Sequence, residues 1–173
     1  MKSDSNITIK EVISSDELKK FVMFPHTLYK DSKYWVAPII KEELEVLNKE
    51  TNPVFNNAIA HYFLAYIDGE IVGRIAALIN WIEVKDLKKK KVRFGWFDFI
   101  DDQNVSKALL EKVIEIGKKN NLEFIEGPVG FSNMDKAGML IKGFEKKNTM
   151  ITMYNYSYYQ DHMKAHGYSK LAE

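Results

Sequence analysis

The sequence feature that most constrains this chain is a strand–turn–helix pattern between positions 92 and 120. Residues 94–100 are aromatic or apolar at nearly every position, which is typical of a strand covered on both faces. Residues 101–104 are types that cap helices. Apolar residues then recur at helical spacing, namely Val105, Leu109, Leu110, Val113 and Ile116. The pattern predicts a central strand that leads through a short turn into an amphipathic helix.

The start of this helix is a candidate anion-binding site. The first turn of a helix has backbone N–H groups without partners inside the helix, and the helix dipole favours negative charge there. A turn between a buried strand and a helix is therefore a natural seat for a phosphate group.

Composition limits the class of protein. A length of 173 residues favours one domain, and the net charge of +1 argues against bulk attraction to nucleic acid or to an anionic membrane. The chain has no cysteine, and its four histidines lack metal-ligand spacing. Residues 1–6 lack the apolar core of a signal peptide, and the apolar stretch 71–82 is too short to span a bilayer. We therefore expect a cytoplasmic protein with no membrane and no nucleic-acid partner.

The first half of the chain predicts a strand, two helices and a hairpin. Residues 7–12 alternate as a strand does, and Ser14 with Glu17 forms a capping-box pattern for a helix that Pro25 should end. Pro38 is suited to start a second helix. The pair Asp68 and Gly69, between two apolar runs, is a strong signal for a two-residue hairpin turn.

The second half predicts two more strands and a late helix. Residues 122–129 should form a strand parallel to the central one, because the intervening helix crosses over. Residues 149–154 also have strand character. The late helix spans residues 158–166 and ends at Gly167.

Several polar residues are candidates for a site on chemical grounds. Asp98 lies within an aromatic strand, so it could be a base whose pKa is raised by burial, or it could point outwards or bond to a neighbouring backbone group. Arg74, in an apolar strand, should pair with a carboxylate or lie at an edge. Ser132, Asn133 and Asp135 form a polar loop after the fifth strand, where a substrate pocket could open.

The order of these elements resembles the GNAT superfamily of N-acetyltransferases. Three segments carry the resemblance: the hairpin at 67–76, the central strand, turn and helix at 92–120, and the late helix with Gly167 and Tyr168 at 162–168. The resemblance implies an α/β (α+β) fold. Its sheet is mixed and mostly antiparallel, with a central parallel strand pair and flanking helices.

The resemblance also implies further strands after the late helix. This chain stops six residues beyond Gly167, so those C-terminal strands are missing or incomplete in a single GNAT-like domain. We expect either a truncated domain of a longer protein or a sheet edge completed by another chain, as in a homo-oligomer.

For cofactor and substrate, the resemblance implies acetyl-CoA and the amine of a small molecule. The pantetheine arm would enter between the fourth and fifth strands, which should diverge near residues 98–101, and the following turn would hold the pyrophosphate. The glycines usual in that turn are absent here. In the alignment that keeps the buried stripe of the helix, Asp101, Asn104 and Ser106 replace the motif residues, whereas an alternative starts at Gln103. The candidate cofactor-binding residues are Ile100, Asp101, Gln103, Asn104, Val105 and Ser106.

A catalytic acid is also implied by the resemblance. The family tyrosine that protonates the thiolate corresponds to Met163, which cannot donate a proton. Tyr158, Tyr159 or His162 could replace it, and Asp98 could serve as the base. The resulting hypothesis is an acetyl-CoA-dependent N-acyltransferase. The alternative is a GNAT-shaped binding or structural domain without catalysis.

Overall fold

The computed structural model describes residues 6–132, 134–149 and 152–172. A short 3₁₀ helix at Pro53–Asn56 precedes the second strand. In chain order the helices and strands are β1 (Thr8–Glu11), α1 (Ser15–Leu28), α2 (Ile40–Val46), β2 (Ala58–Ile67), β3 (Glu70–Asn80), α3 (Trp81–Lys85), β4 (Lys91–Phe99), α4 (Gln103–Lys119), β5 (Phe124–Glu126) and α5 (Tyr158–Ala165).

The sheet confirms the fold class expected from the sequence. Its five strands lie in the order β1-β2-β3-β4-β5, and all neighbours are antiparallel except β4 and β5, which are parallel. The hairpin turn joins β2 to β3 as expected, with positive φ angles of 50° at Asp68 and 88° at Gly69.

Each face of the sheet is covered by helices. On one face, α4 and α5 bury Val105, Leu109 and Tyr159 against Phe94 and Phe99 of β4. The second core has Phe21 of α1 and Leu47, the C-terminal cap of α2, packed with Tyr62 and Leu64 of β2 and with Leu78 of β3. Because strand residues alternate between faces, each of these strands contributes to both layers.

The expectation that Pro25 ends the first helix is wrong, since α1 continues to Leu28. A proline inside a helix leaves the carbonyl four residues earlier without its N–H partner. Here that carbonyl belongs to Phe21, and it accepts a hydrogen bond of 2.9 Å from Nη1 of Arg74 in β3. The helix then resumes with a bond of 2.8 Å from the N–H of Tyr29 to the carbonyl of Pro25.

The C-terminal third is less regular than the sequence indicates. β5 has only three residues, and Pro128 beyond it has no N–H to donate. The predicted strand at 149–154 is wrong for its described residues. Side chains bond to nearby backbone there, including a bond of 2.8 Å from the N–H of Thr149 to Oγ1 of Thr152, and such bonds compete with a strand.

The outer edge of β5 pairs with no other strand among the described residues, so association through this edge stays a prediction. No helix in the described part of the chain has the length and apolar character of a membrane span.

Candidate functional site

A bend in β4 creates the candidate site. The last paired residues of β4 and β5 are Arg93 and Glu126, and one further bond of 2.8 Å joins the N–H of Val129 to the carbonyl of Phe94. The β3–β4 register then shifts between Arg74 and Ala76, where Trp96 has a φ of +46°. A bulge of this kind bends and twists its strand, so β4 leaves β5 slightly earlier than the expected residues 98–101.

A cavity of about 190 Å³ opens where the two strands diverge, on the face covered by α1 and α2. Its walls are mainly aromatic and aliphatic, with a few charged groups. The apolar part of the lining consists of Pro25, Tyr29, Trp35, Val36, Pro38, Val46, Trp96, Pro128, Val129, Met153 and Tyr154. Such a lining suits a ligand with an apolar body.

Asp98 and Arg74 form a buried ion pair in the wall of this cavity. Arg74 donates to Oδ2 of Asp98 from both Nε and Nη2, each at 2.8 Å, and the side chains of Arg74 and Asp98 are 7% and 11% exposed, respectively. The other oxygen, Oδ1, accepts a bond of 2.8 Å from the hydroxyl of Tyr29. This geometry confirms the expected pairing of Arg74. Both carboxylate oxygens of Asp98 therefore accept hydrogen bonds from neighbouring side chains.

Tyr29 extends this pair into a chain of hydrogen bonds. Because its single hydroxyl proton goes to Asp98, the hydroxyl of Tyr159, 2.8 Å away, must donate to Tyr29. Tyr159 in turn accepts from the N–H of Phe99 at 3.2 Å. Burial, followed by the charge of Asp98, raises the pKa of Tyr29 and of Tyr159 well above the ordinary value, so both stay protonated.

Glu43 and Trp96 form the polar part of the cavity wall nearest α2. The indole N–H of Trp96 donates to Oε2 of Glu43 at 2.7 Å, and Nζ of Lys136 lies 3.5 Å from Oε1. The Glu43 side chain is only 15% exposed. It places a partly buried carboxylate beside an aromatic wall.

The turn after β4, where the family resemblance would place the cofactor, is held by contacts among its own residues. Asp102 caps α4 and accepts a bond of 2.8 Å from the N–H of Asn104. The N–H groups of Val105 and Ser106 bond to the carbonyl of Asp102, at 3.1 and 3.2 Å. The carbonyl of Gln103 accepts from the Ser106 hydroxyl at 3.1 Å.

Two histidines of the α5 region bind the same turn. The Ser106 hydroxyl oxygen lies 2.8 Å from Nδ1 of His162 and 2.8 Å from Nε2 of His166, and Nε2 of His162 lies 2.9 Å from Oδ1 of Asp101. A hydroxyl has one proton, so when the carbonyl of Gln103 accepts it, both imidazoles donate to the hydroxyl oxygen. Ser106 is fully buried, so this Ser–His–Asp arrangement holds α5 to α4 and offers no accessible nucleophile.

Two tyrosines of α5 also occupy the free edge of β4. Phe99 faces Gly73 in the β3–β4 ladder, and the next amide, that of Ile100, bonds to the carbonyl of Val72 at 3.0 Å. The backbone groups of Phe99 therefore point away from β3. Its N–H bonds to the Tyr159 hydroxyl, and its carbonyl accepts a bond of 2.5 Å from the Tyr158 hydroxyl.

The predicted loop candidates lie near the cavity but are only partly within the described residues. Asp135 lines the cavity and accepts a bond of 2.8 Å from the N–H of Ser132. Asn133 lies outside the described residues. The roles predicted for these residues, and for Asp98, Tyr158 and Tyr159, stay predictions.

Sequence reasoning missed Tyr29 and Glu43 as site residues. Neither carries a motif, and both are brought to β4 by the packing of α1 and α2 on the sheet.

Two curated proteins resemble the chain in sequence. It is 30% identical over 162 residues to Protein YghO of Escherichia coli strain K12, an alignment that covers 94% of this chain and 41% of that protein. It is 25% identical over 169 residues to a bacterial ceramide synthase of Caulobacter vibrioides, covering 97% of this chain and 44% of that protein. The chain thus spans less than half the length of the curated relatives it matches. No protein-family model matches it.

Solved structures resemble the chain in fold at low identity. A protein of Clostridium acetobutylicum described as a predicted acetyltransferase, solved with acetyl-CoA, superposes with a TM-score of 0.60 at 12% identity, covering 96% of this chain and 92% of that one. A tandem GNAT protein from the clavulanic acid biosynthesis pathway superposes with a TM-score of 0.52 at 12% identity, covering 67% of this chain and 34% of that one.

Proposed function

Since the chain has the fold of the GNAT superfamily of N-acetyltransferases, we propose that it is the acceptor-binding part of an N-acyltransferase acting on an amine with an apolar body. The observation that carries this proposal is the aromatic cavity at the point where β4 leaves β5. Transfer requires that the amine of the acceptor be held in a fixed position, and the gap between these strands offers an enclosed place to hold it.

The charges of the cavity wall favour an amine as the acceptor. Glu43 is a partly buried carboxylate next to Trp96, so it can pair with an ammonium group whose apolar body contacts the aromatic wall. Asp98 is less suited to this role, because two guanidinium donors of Arg74 hold it at 2.8 Å, whereas the Lys136 amine lies 3.5 Å from Glu43 on a side chain that is 38% exposed. A carboxylate beside an aromatic wall is a pattern that recognises an amine carried on a hydrocarbon.

Of the two curated relatives, one has a name that supports an apolar acceptor of this kind. It is named a ceramide synthase, and a ceramide is the amide of a fatty acid with a long-chain amino alcohol. An amine on a long hydrocarbon chain combines the two features that the cavity matches. We therefore take a long-chain amine as the acceptor class.

The acyl donor implied by the fold is acetyl-CoA, which one solved neighbour contains. The residues of this chain do not fit coenzyme A as they are arranged here. Asp101 and Asp102 place two carboxylates at the turn that would face a diphosphate, and these negative charges would repel it. The carboxylate of Asp102 also accepts the hydrogen bond of the Asn104 amide. We therefore assign only the acceptor half of the reaction to these residues.

The same observation favours a second candidate function. A GNAT-shaped domain whose own side chains fill the donor turn could bind its ligand without catalysing transfer, as one part of a larger protein. This candidate shares the amine-binding cavity with the first. The two differ in whether an acyl group reaches the bound amine.

Titration with decylamine tests the cavity directly. Trp35 and Trp96 line the cavity whereas Trp81 does not, so saturable binding should change the tryptophan fluorescence, and Trp81→Phe should keep that response. Glu43→Gln keeps the shape of the side chain and removes its charge. It should weaken decylamine binding roughly 10-fold, equivalent to about 1.4 kcal/mol, which is close to the lower value for a hydrogen bond to a charged group.

Decanol provides the matched ligand without an ammonium group. Decanol should bind to the wild-type protein more weakly than decylamine does. Its affinity for Glu43→Gln should equal its affinity for the wild-type protein. Equal decylamine affinity in Glu43→Gln and wild type would rule out Glu43 as the recognition group. No saturable fluorescence change with either ligand would contradict the acceptor proposal itself.

A further inference from the structure

The groove at the end of β4 is filled by α5 through four side chains. The hydroxyl of Tyr158 donates to the carbonyl of Phe99, and the hydroxyl of Tyr159 accepts from the N–H of Phe99. His162 hydrogen-bonds to Asp101 and Ser106, and His166 hydrogen-bonds to Ser106. These contacts cover the strand end and the helix start together.

From this arrangement we infer that the side chains of Tyr158, Tyr159, His162 and His166 occupy the place beside β4 and α4 in which a GNAT fold would hold its acyl carrier, so that this chain binds no coenzyme A at the start of α4. The inference concerns the donor side and does not require the amine proposal to be correct.

The hydrogen-bonding capacity of the strand end supports this inference. A pantetheine arm beside β4 needs backbone groups that point into the gap, and those of Phe99 are satisfied by the two tyrosine hydroxyls. A ligand that bonded to Phe99 in place of the two tyrosines would have to break both of these hydrogen bonds. The hydroxyl of Tyr159, a residue that is 2% exposed, would then lack its bond from Phe99.

Aromatic packing adds to these hydrogen bonds. The ring of Phe99 stacks on Tyr159, with centroids 4.2 Å apart and an angle of 26° between the rings. Tyr158 and His162 lie 5.8 and 5.1 Å from the same ring, by centroid distance. Because α5 is part of the same core as β4 and α4, moving it away would expose this cluster to water.

The residues and the charge of the turn also disfavour binding of a pyrophosphate. The glycines that allow a backbone to approach a phosphate closely are absent from residues 101–106. The Asp102 carboxylate already satisfies the amide of Asn104 and carries the negative charge that the helix dipole favours. A pyrophosphate would have to displace this carboxylate and approach Asp101 as well.

A thermal-shift and amide-exchange experiment on the wild-type chain tests the inference. Coenzyme A and acetyl-CoA at millimolar concentration should leave the melting temperature unchanged. A ligand at about 100-fold over its Kd would raise it by roughly 5–10 °C in a domain of this size. The Clostridium acetobutylicum acetyltransferase that was solved with acetyl-CoA is the positive control.

The tyrosine contacts provide the second readout. Tyr159→Phe keeps the ring and removes the hydroxyl that accepts the Phe99 N–H, so hydrogen exchange at Phe99 should accelerate roughly 2- to 10-fold, corresponding to one hydrogen bond. Tyr156→Phe makes the same chemical change in a hydroxyl that bonds to Leu28, and it should leave the exchange at Phe99 unchanged.

A saturable rise in melting temperature with coenzyme A, together with shifted amide signals at residues 103–106, would overturn the inference. Equal exchange at Phe99 in Tyr159→Phe and wild type would overturn the role given to α5. The decylamine titration distinguishes this inference from the proposed function. If neither decylamine nor coenzyme A binds to the wild-type chain, the proposed function is contradicted and this inference is supported.

Discussion

Replacing Tyr29 by phenylalanine tests the hydrogen-bond chain that joins α1, β4 and α5. The change removes one hydroxyl that donates to Asp98 at 2.8 Å and accepts from Tyr159 at 2.8 Å. A hydrogen bond to a charged group contributes about 1.5–3 kcal/mol, and an unsatisfied buried hydroxyl costs about 1–3 kcal/mol. Since these two effects overlap, we expect the free energy of unfolding to fall by about 2–4 kcal/mol.

Urea denaturation followed by circular dichroism measures this change, with an unaltered slope as the sign that the unfolded state is the same. Tyr156→Phe is the matched control. Its hydroxyl bonds to the carbonyl of Leu28 at 3.2 Å in a half-buried position, so it should cost less than about 1 kcal/mol. If Tyr29→Phe costs no more than this control, the buried chain does not stabilise the fold and the reasoning fails.

The remaining predictions concern the ion pair and the histidine cluster. Arg74→Met leaves the carboxylate of Asp98 and the carbonyl of Phe21 without their guanidinium partner, so unfolding experiments should give a loss of about 3–5 kcal/mol, whereas a loss below 1 kcal/mol would refute the bridging role. The pKa of His166 is lowered from 6.5, mainly by burial and then by His162 and Lys107. Between pH 6.5 and the lower pKa of the folded state, the unfolded chain therefore binds more protons than the folded chain. The free energy of unfolding should decrease as the pH falls through this window. His166→Gln should flatten this dependence in melting scans from pH 7.5 to 5, and an unchanged slope would contradict the assignment.

The candidate site shows where sequence reasoning reached its limit. The aromatic run of β4 predicts a central strand, and Arg74 is expected either to pair with a carboxylate or to lie at an edge; the structure shows the first. The partner could not be read from the sequence, because Asp98 and Arg74 are 24 positions apart and meet through strand pairing. Tyr29 meets Asp98 across 69 positions, and no local pattern marks that contact.

Pro25 is the clearest case of a tertiary contact that overrides a local rule. Within the helix alone, the carbonyl of Phe21 loses its partner, so ending the helix is the better choice. In the folded chain Arg74 supplies a donor from the neighbouring sheet, and the helix continues to Leu28. Tyr29, at its end, is thereby placed against Asp98.

The sequence by itself determined the order and type of most elements, because the periodicity of apolar residues, the capping box at Ser14 and the turn at Asp68 and Gly69 are local signals. Only the tertiary structure decided what occupies the end of β4. The backbone groups of Phe99 are satisfied by side chains 59 and 60 positions away, and such long-range contacts depend on how the helices pack on the sheet.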